Sequence, residues 1–550
     1  MTAGASLAAL SLAAAVPAQA APLRSGSGPA VTPAAATAVQ WTRCEGGGFD
    51  CAIVPVPLDY DQPNGGSVLL SLIRLPATDP ARRIGSLLVN PGGPGGSGVD
   101  LVLGFGQFLA PEIRARFDIV GFDPRGVGRS TALRCFGSPR QWGPTFWADL
   151  PLSAAGVDVV AAADRYLAEA CAQRGGSILD HMSTGDVVRD MDLLRVGLGD
   201  QRLTFLGFSY GSMLGTTYAN MFPDRVRAVV IDGVLDPIAW TTGAPGQQNL
   251  PFSTRLRSDA GAQATLGEFF RLCDLAGPNC AFAGNSAARF AALRARLLTG
   301  PVQVTLDGQT FPFTYTDLIY STLGALYSQF AWPSAAEFLA LVEKSASAAA
   351  LGAALGDLRQ SLGYVNKRGF PHYPNFVESF PGVACSDSDN PDSHLDWFTA
   401  AESAEAQFGY FGRAWTWASS ICAVWPGASD DRYIGPWNAA TANPVLVVGN
   451  FFDPATRYQG AQTVAGLLPN SRLLSYAGWG HTAYGGLSSC IDNTVNGYLL
   501  SGRLPAVGTV CQPELDPFAP AQPTSATAAQ LQRSLRAALL PELTKRALRG

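Results

Sequence analysis

Lysine is almost missing from this 550-residue chain: it occurs only at positions 344, 367 and 545, and Arg supplies nearly all of the 38 basic side chains. With 43 acidic residues the net charge is −5, which gives no electrostatic reason to expect nucleic acid or an anionic membrane as partner. Histidine is scarce as well, with four scattered copies at 181, 372, 394 and 481. No C-x-x-C pair accompanies them, so the spacing of a zinc site is absent and no metal is expected. The phosphate-loop pattern G-x-x-x-x-G-K-[ST] is lacking too, and no nucleotide or other cofactor is expected. Beyond a short N-terminal run there is no uninterrupted apolar stretch long enough to span a bilayer. At 47% hydrophobic and 15% charged residues, the composition is that of a globular protein.

The chain is too long for one ordinary core, so two domains, or one domain carrying a large insertion, are expected. Residues 1–21 hold an apolar stretch from Leu7 to Val16 followed by Ala18-Gln19-Ala20. That order reads as a signal peptide with an A-x-A cleavage site, and residues 22–40, rich in Ser, Gly, Pro and Ala, as a flexible leader. Ten cysteines agree with export, because an even count in an oxidising compartment points to disulfides. About 945 pairings are possible. The simplest joins sequential neighbours, whose small loops close most easily: Cys44–Cys51, Cys135–Cys171, Cys273–Cys280, Cys385–Cys422 and Cys490–Cys511.

From Trp41 short apolar runs alternate with turn residues. "VLLSLIRL" (68–75), "GSLLVNPGG" (85–93) and "FDIVGFDPRG" (117–126) each read as a strand ending in a loop. A helical pattern at 185–198 precedes the strand in "RLTFLGFSYGS", and "RAVVIDGVLDP" (227–237) supplies another. Strands alternating with helices predict an α/β fold with a mostly parallel sheet covered on both faces. Residues 240 to about 435 look mostly helical, including the Ala-rich stretch 335–362. The strand rhythm returns at "NPVLVVGNFFDP" (443–454) and "SRLLSYAGWGH" (471–481). We therefore expect core segments at 41–239 and 436–515, a helical cap at 240–435, and a Pro-rich linker with a tail helix at 516–550.

"FLGFSYGSMLG" (205–215) contains G-x-S-x-G around Ser209. With 60 Gly in the chain, about 0.4 such matches would arise by accident, so its surroundings must decide. Ser209 follows an apolar strand and opens a helical segment, the setting of a nucleophile elbow. A serine hydroxyl needs a base, and His481 follows a strand-like run in the Gly-flanked loop "GWGHTAY". The imidazole in turn needs an acid to fix its tautomer. Asp453, at the end of the preceding strand, gives the order Ser, Asp, His of α/β-hydrolases; Asp232 and Asp236 are rival acids. Thr456 is read as a helix cap that steadies the Asp loop. An oxyanion hole requires inward-pointing donors, and "VNPGGPGGSG" (89–98) can supply the Gly93 amide to work with the Tyr210 amide.

On these residues the chain resembles the secreted tripeptidyl-aminopeptidase-like serine peptidases of actinobacteria, within the prolyl-aminopeptidase family of α/β-hydrolases. The likeness runs through "CAIVPVPLDYDQP" (51–63), "GSLLVNPGGPGGSG", "DIVGFDPRGVGRS" (118–130), "LGFSYGSMLGTTYANMFPDRVRAVVIDGVLDP" (206–237), "ACSDSD" (384–389) and the segment from Pro444 to Thr482. It covers both halves of the sheet, is weak in the cap and stops near 515. It implies the α/β-hydrolase fold, with Ser209, Asp453 and His481 as nucleophile, acid and base. Arg457 departs from it, standing where Pro is expected after "DPAT".

The resemblance implies cleavage of short peptides from a free N-terminus, hence peptide substrates and an acyl-enzyme intermediate. Such an exopeptidase needs a roof and a carboxylate for the α-ammonium group. The cap is the natural roof, and Glu378 and Asp387 in "VESFPGVACSDSD" are the candidate acids. Asp123 and Arg125 are read as braces for the loop beside the oxyanion turn. The same triad would equally serve a carboxylic-ester hydrolase, since fold does not fix substrate.

Overall fold

The computed structural model describes residues 38–146, 148–361 and 375–519. The expected signal peptide, most of the leader and the tail helix lie outside them. Ten strands form one sheet: β1 (Thr42–Cys44), β2 (Phe49–Pro57), β3 (Ser67–Leu75), β4 (Gly85–Asn90), β5 (Phe117–Phe122), β6 (Leu203–Phe208) and β7 (Val226–Asp232), joined after a long insertion by three more. The insertion carries a separate hairpin of β8 (Val302–Leu306) and β9 (Gln309–Phe313), and the sheet resumes with β10 (Val445–Phe452), β11 (Ser471–Trp479) and β12 (Val510–Cys511). Spatial order is β1-β2-β3-β5-β4-β6-β7-β10-β11-β12. The first three strands pair antiparallel, β3 meets β5 antiparallel, and every pair from β5 to β12 is parallel.

Parallel strands with helices on both faces must be apolar on both, and these are. Leu88, Val120, Phe205, Val229 and Val447 enter the hydrophobic cluster on one face. Their neighbours Leu87, Ile119, Leu206, Val230 and Val448 enter the cluster on the other. The helix Tyr210–Met221 lies on the first face and Ser489–Ser501 on the second. The fold is that of an α/β-hydrolase with a helical cap.

Residues between β7 and β10 build a third hydrophobic cluster around Phe269, Trp332 and Trp397. The Ala-rich stretch forms two helices rather than one, Trp332–Glu343 and Ala348–Ser361, broken near Ser345, whose φ is +50°. The β8–β9 hairpin turns at Asp307-Gly308, both at positive φ. Segments from outside the insertion join this cluster, Ala455 and Trp479 of the C-terminal core among them. Leu150 and Val157, from the stretch between β5 and β6 that the rhythm assigns to the core, are buried in it. Beyond β12, Phe518 stacks edge-on against Phe269. The five disulfides join the sequential neighbours expected from loop size. Among the described residues no helix is long and apolar enough to cross a membrane.

Candidate active site

Ser209 stands between the end of β6 and the helix Tyr210–Met221, at φ 56° and ψ −124°. A non-glycine residue holds that left-handed conformation only where the surroundings over-determine it. Small neighbours make the turn possible: a Cβ on Gly207 would run into the Gly211 carbonyl oxygen, and one on Gly211 would lie 2.9 Å from the Asn90 carbonyl oxygen. The Ser209 amide donates to the Asp232 carbonyl at the end of β7, 2.9 Å away.

Asp453 follows β10 and is fully buried. Its Oδ1 accepts the amides of Ala455 and Thr456, both at 2.8 Å, and its Oδ2 accepts the Thr456 hydroxyl at 2.9 Å. His481, in the loop after β11, sets Nδ1 2.9 Å and 3.0 Å from the two carboxylate oxygens. The Tyr327 ring meets the imidazole edge-on, and the His481 amide donates to the Tyr327 carbonyl. With Nδ1 donating to Asp453, the tautomer this geometry selects, Nε2 carries the lone pair. Nε2 is buried and hydrogen-bonds no protein atom among the described residues. The imidazole packs where β7 ends: a Cβ on Gly233 would be 3.1 Å from His481 Cε1. Ser209 and His481 thus flank one dipeptide, Asp232-Gly233.

The rival acids are engaged elsewhere. The Asp232 carboxylate accepts the amides of Ala483 and Tyr484. Asp236 caps the short helix Pro237–Trp240, accepting the Ile238 and Ala239 amides. Thr456 has a closer part in the cluster than a helix cap, its hydroxyl lying 3.3 Å from His481 Nδ1 as well as on Asp453.

The glycine turn after β4 packs directly on the elbow. Gly92, Gly93 and Gly95 have φ of 91°, 112° and 94°, and a Cβ on Gly92 would sit 2.7 Å from the Tyr210 nitrogen. Asn90 Oδ1 pins the turn through the Gly92 amide at 2.8 Å. Tyr210 opens its helix, so its N–H has no partner one turn back. Its buried phenol is pushed well above the ordinary tyrosine range and shares a 2.6 Å hydrogen bond with Thr184 Oγ1. Asp123 accepts the Ser97 hydroxyl and the Val99 and Arg129 amides. Arg125 pairs with Asp190 and reaches the carbonyls of Pro57, Leu58 and His181. Both brace the loops beside the turn.

Ser209, Gly93 and Thr456 open onto a cavity of about 220 Å³ between sheet and cap. Its walls are mostly apolar, with Trp240, Phe252, Phe380, Trp415 and Trp417 among them, and the charged side chains lining it among the described residues are Asp149 and Asp164. Asp149 is exposed at the surface. Asp164, on the helix Ala154–Arg174, has Oδ2 2.9 Å from His394 Nε2.

The two acids picked from the sequence do not reach this wall. Glu378 is fully buried and accepts a hydrogen bond from Trp142 Nε1 at 3.3 Å, while its neighbours Phe376, Val377, Phe380 and Pro381 line the cavity. Asp387 accepts the Thr184 amide and hydroxyl and Trp240 Nε1. Burial raises its pKa to about 6, the hydrogen bonds opposing the shift. Asp149 and Asp164 escaped notice because their segment read as core. The one partner that marks Asp164, His394, lies 230 residues away in the chain.

Two family models match: "alpha/beta hydrolase fold" over residues 85–266 and "TAP-like protein" over 406–511. The chain is 31% identical over 495 residues to the serine protease Hip1 of Mycobacterium tuberculosis, covering 86% of this chain and 91% of that one. It is 35% identical over 477 residues to carboxylesterase B of the same organism, covering 84% and 86%. To the tripeptidyl aminopeptidase of Streptomyces lividans it is 30% identical over 508 residues, covering 90% of each. Likeness of this extent, on a sheet whose strand ends gather a serine, a histidine and an aspartate, settles the kinship: the chain belongs to the TAP-like family of α/β-hydrolase-fold serine hydrolases.

Proposed function

We propose that the protein is a secreted serine exopeptidase that releases short peptides from free N-termini. Ser209 Oγ attacks the scissile carbonyl while its proton passes to His481 Nε2. The oxyanion is met by the amides of Gly93 and Tyr210. Asp453 holds the tautomer and balances the imidazolium. The C–N bond breaks as His481 returns the proton to the leaving amine, and water, activated by the same imidazole, hydrolyses the acyl-enzyme. Five disulfides support export to an oxidising compartment.

The observation that carries the aminopeptidase reading is the charge of the cavity. Among the described residues its charged lining is acidic, on mostly apolar walls, which suits a peptide that enters with its α-ammonium first. Asp164 is the better anchor, being the less exposed and held by His394. Kinetics on peptidyl chromogens with free and acylated N-termini test this. Asp164→Asn should raise KM about tenfold or more for the free peptide, one lost ion pair in a shielded site, and leave the acylated one unchanged. Equal turnover of free and blocked peptides by the unaltered enzyme would overturn the reading. The 35% identity to a protein named carboxylesterase B favours a second reading, an ester hydrolase using the same triad. Simple acyl esters cleaved with higher kcat/KM than any free-amine peptide would select it.

A further inference from the structure

Asp232 is a second carboxylate at the site, and the proposed triad leaves it unused. It closes β7, is fully buried, and its main-chain oxygen accepts the Ser209 amide at 2.9 Å. Its side chain reaches the other way, into the loop that carries the base. The Ala483 amide donates to both carboxylate oxygens at 3.0 Å, and the Tyr484 amide to Oδ2 at 2.8 Å. Between these amides and His481 lies Thr482, at φ 68°, a left-handed conformation that a β-branched residue keeps only when its surroundings hold it. Gly233 provides the room, since a Cβ there would stand 2.9 Å from Thr482 Cγ2. One residue therefore ties the nucleophile's turn through its main chain and the base's loop through its side chain.

Two titratable groups act on Asp232 through their charge: His481 on the loop after β11 and Asp453 on the loop after β10. Tyr327, from the cap, edges the imidazole and is buried and neutral. Burial raises the Asp232 pKa to about 7, opposed by the two amides and by His481.

We propose that Asp232 is a positioning residue for acyl transfer: it holds residues 481–484 in register with Ser209 and places a second negative charge beside the imidazolium that forms on His481. This rests on the triad reading above. No proton moves to Asp232 in the step; the serine proton goes to His481 Nε2, and the carboxylate acts as an anion. When falling pH protonates Asp232, that support is lost on the same side of the profile on which His481 itself becomes blocked.

The test follows labelling by a serine-directed fluorophosphonate, and kcat and KM on a peptidyl chromogen, against pH for the full chain and for Asp232→Asn. The variant should lose about tenfold or more in labelling rate and kcat, with KM little changed, because the lost charge is felt only when the imidazolium forms. Its acid limb should move to lower pH and become shallower, since an imidazole with one neighbouring anion fewer is harder to protonate. A purely structural role would lower kcat without moving the limb, and that result, or an unchanged kcat, overturns the proposal. Should Asp232→Asn fail to fold, the unaltered protein decides: an acid limb steeper than one ionisation is expected, and a single-ionisation limb refutes it. Absence of any labelling of the unaltered protein would instead sink the triad reading itself.

Discussion

Replacing Asp453 by Asn changes one oxygen for an NH₂ group, and the surroundings dictate where that group goes. Oδ1 accepts two main-chain amides at 2.8 Å, so an NH₂ group there would oppose two donors, each left unsatisfied at about 1–3 kcal/mol. The NH₂ group is therefore driven to the Oδ2 position, facing the Thr456 hydroxyl and His481 Nδ1, each 2.9 Å away. The hydroxyl can rotate to accept. The imidazole can accept only by moving its proton to Nε2, and a protonated Nε2 cannot take the proton of Ser209. The loss of tautomer and of charge balance together should cost about 5–6 kcal/mol of transition-state stabilisation, near 10⁴-fold in kcat. Steady-state turnover of a free-amine peptidyl chromogen at pH 8 measures it, with a thermal melt to show that the fold survives. A well-folded Asp453→Asn enzyme with kcat within about tenfold of the parent would refute the assignment of the acid.

Ser209→Ala should lower kcat by about 10⁴–10⁶-fold with an unchanged melt. Gly92→Ala puts a Cβ 2.9 Å from that of Ser209 and against the Phe208 carbonyl, at a φ that side chains resist. It should cost about 1–3 kcal/mol in denaturant unfolding and abolish fluorophosphonate labelling by shifting the elbow. Asp387 titrates near 6 in the fold and near its ordinary value when unfolded, so its contribution to stability is full at low pH and is lost as pH rises through 6. Asp387→Asn, which cannot ionise, should therefore gain about 2–3 kcal/mol relative to the parent between pH 4 and pH 8, read by urea unfolding at both. A gap that stays constant across that range would show that Asp387 is not desolvated. Phe518→Ala removes a buried ring from the cap cluster and should cost about 3–5 kcal/mol, seen as an earlier unfolding transition.

The legible parts of this molecule were those whose signal is local. β4, β6, β7 and β10 announce themselves as short apolar runs ending in glycine or aspartate, because a parallel strand is buried on both faces and its loop must turn at once. Ser209, Asp453 and His481 could be picked as candidates because each follows such a run. The cap was less legible. The helix Ala154–Arg174 would read the same on the sheet or on the insertion, and only tertiary contacts, such as Asp164 with His394, reveal which. Glu378 and Asp387 illustrate the converse: proximity in sequence to cavity-lining residues does not say which face of the helix Phe376–Asp387 meets the cavity. One signal was present and passed over, the Asp307-Gly308 pair between two alternating runs, a recognised hairpin turn.

Phe518, seated among Phe269 and Trp332, alters how the covered site can be reached. The cover is moored not only by the two chain crossings at its base but also by the stretch through Leu150 and Val157 and by this far anchor past the last strand. A cover fixed at so many points resists swinging open as one body, and Asp149, which both lines the cavity and is exposed at the surface, marks where cavity and solvent meet. Under the proposed exopeptidase activity, the girth of a peptide's leading end then sets which substrates reach the nucleophile, and long folded chains are expected to be turned away.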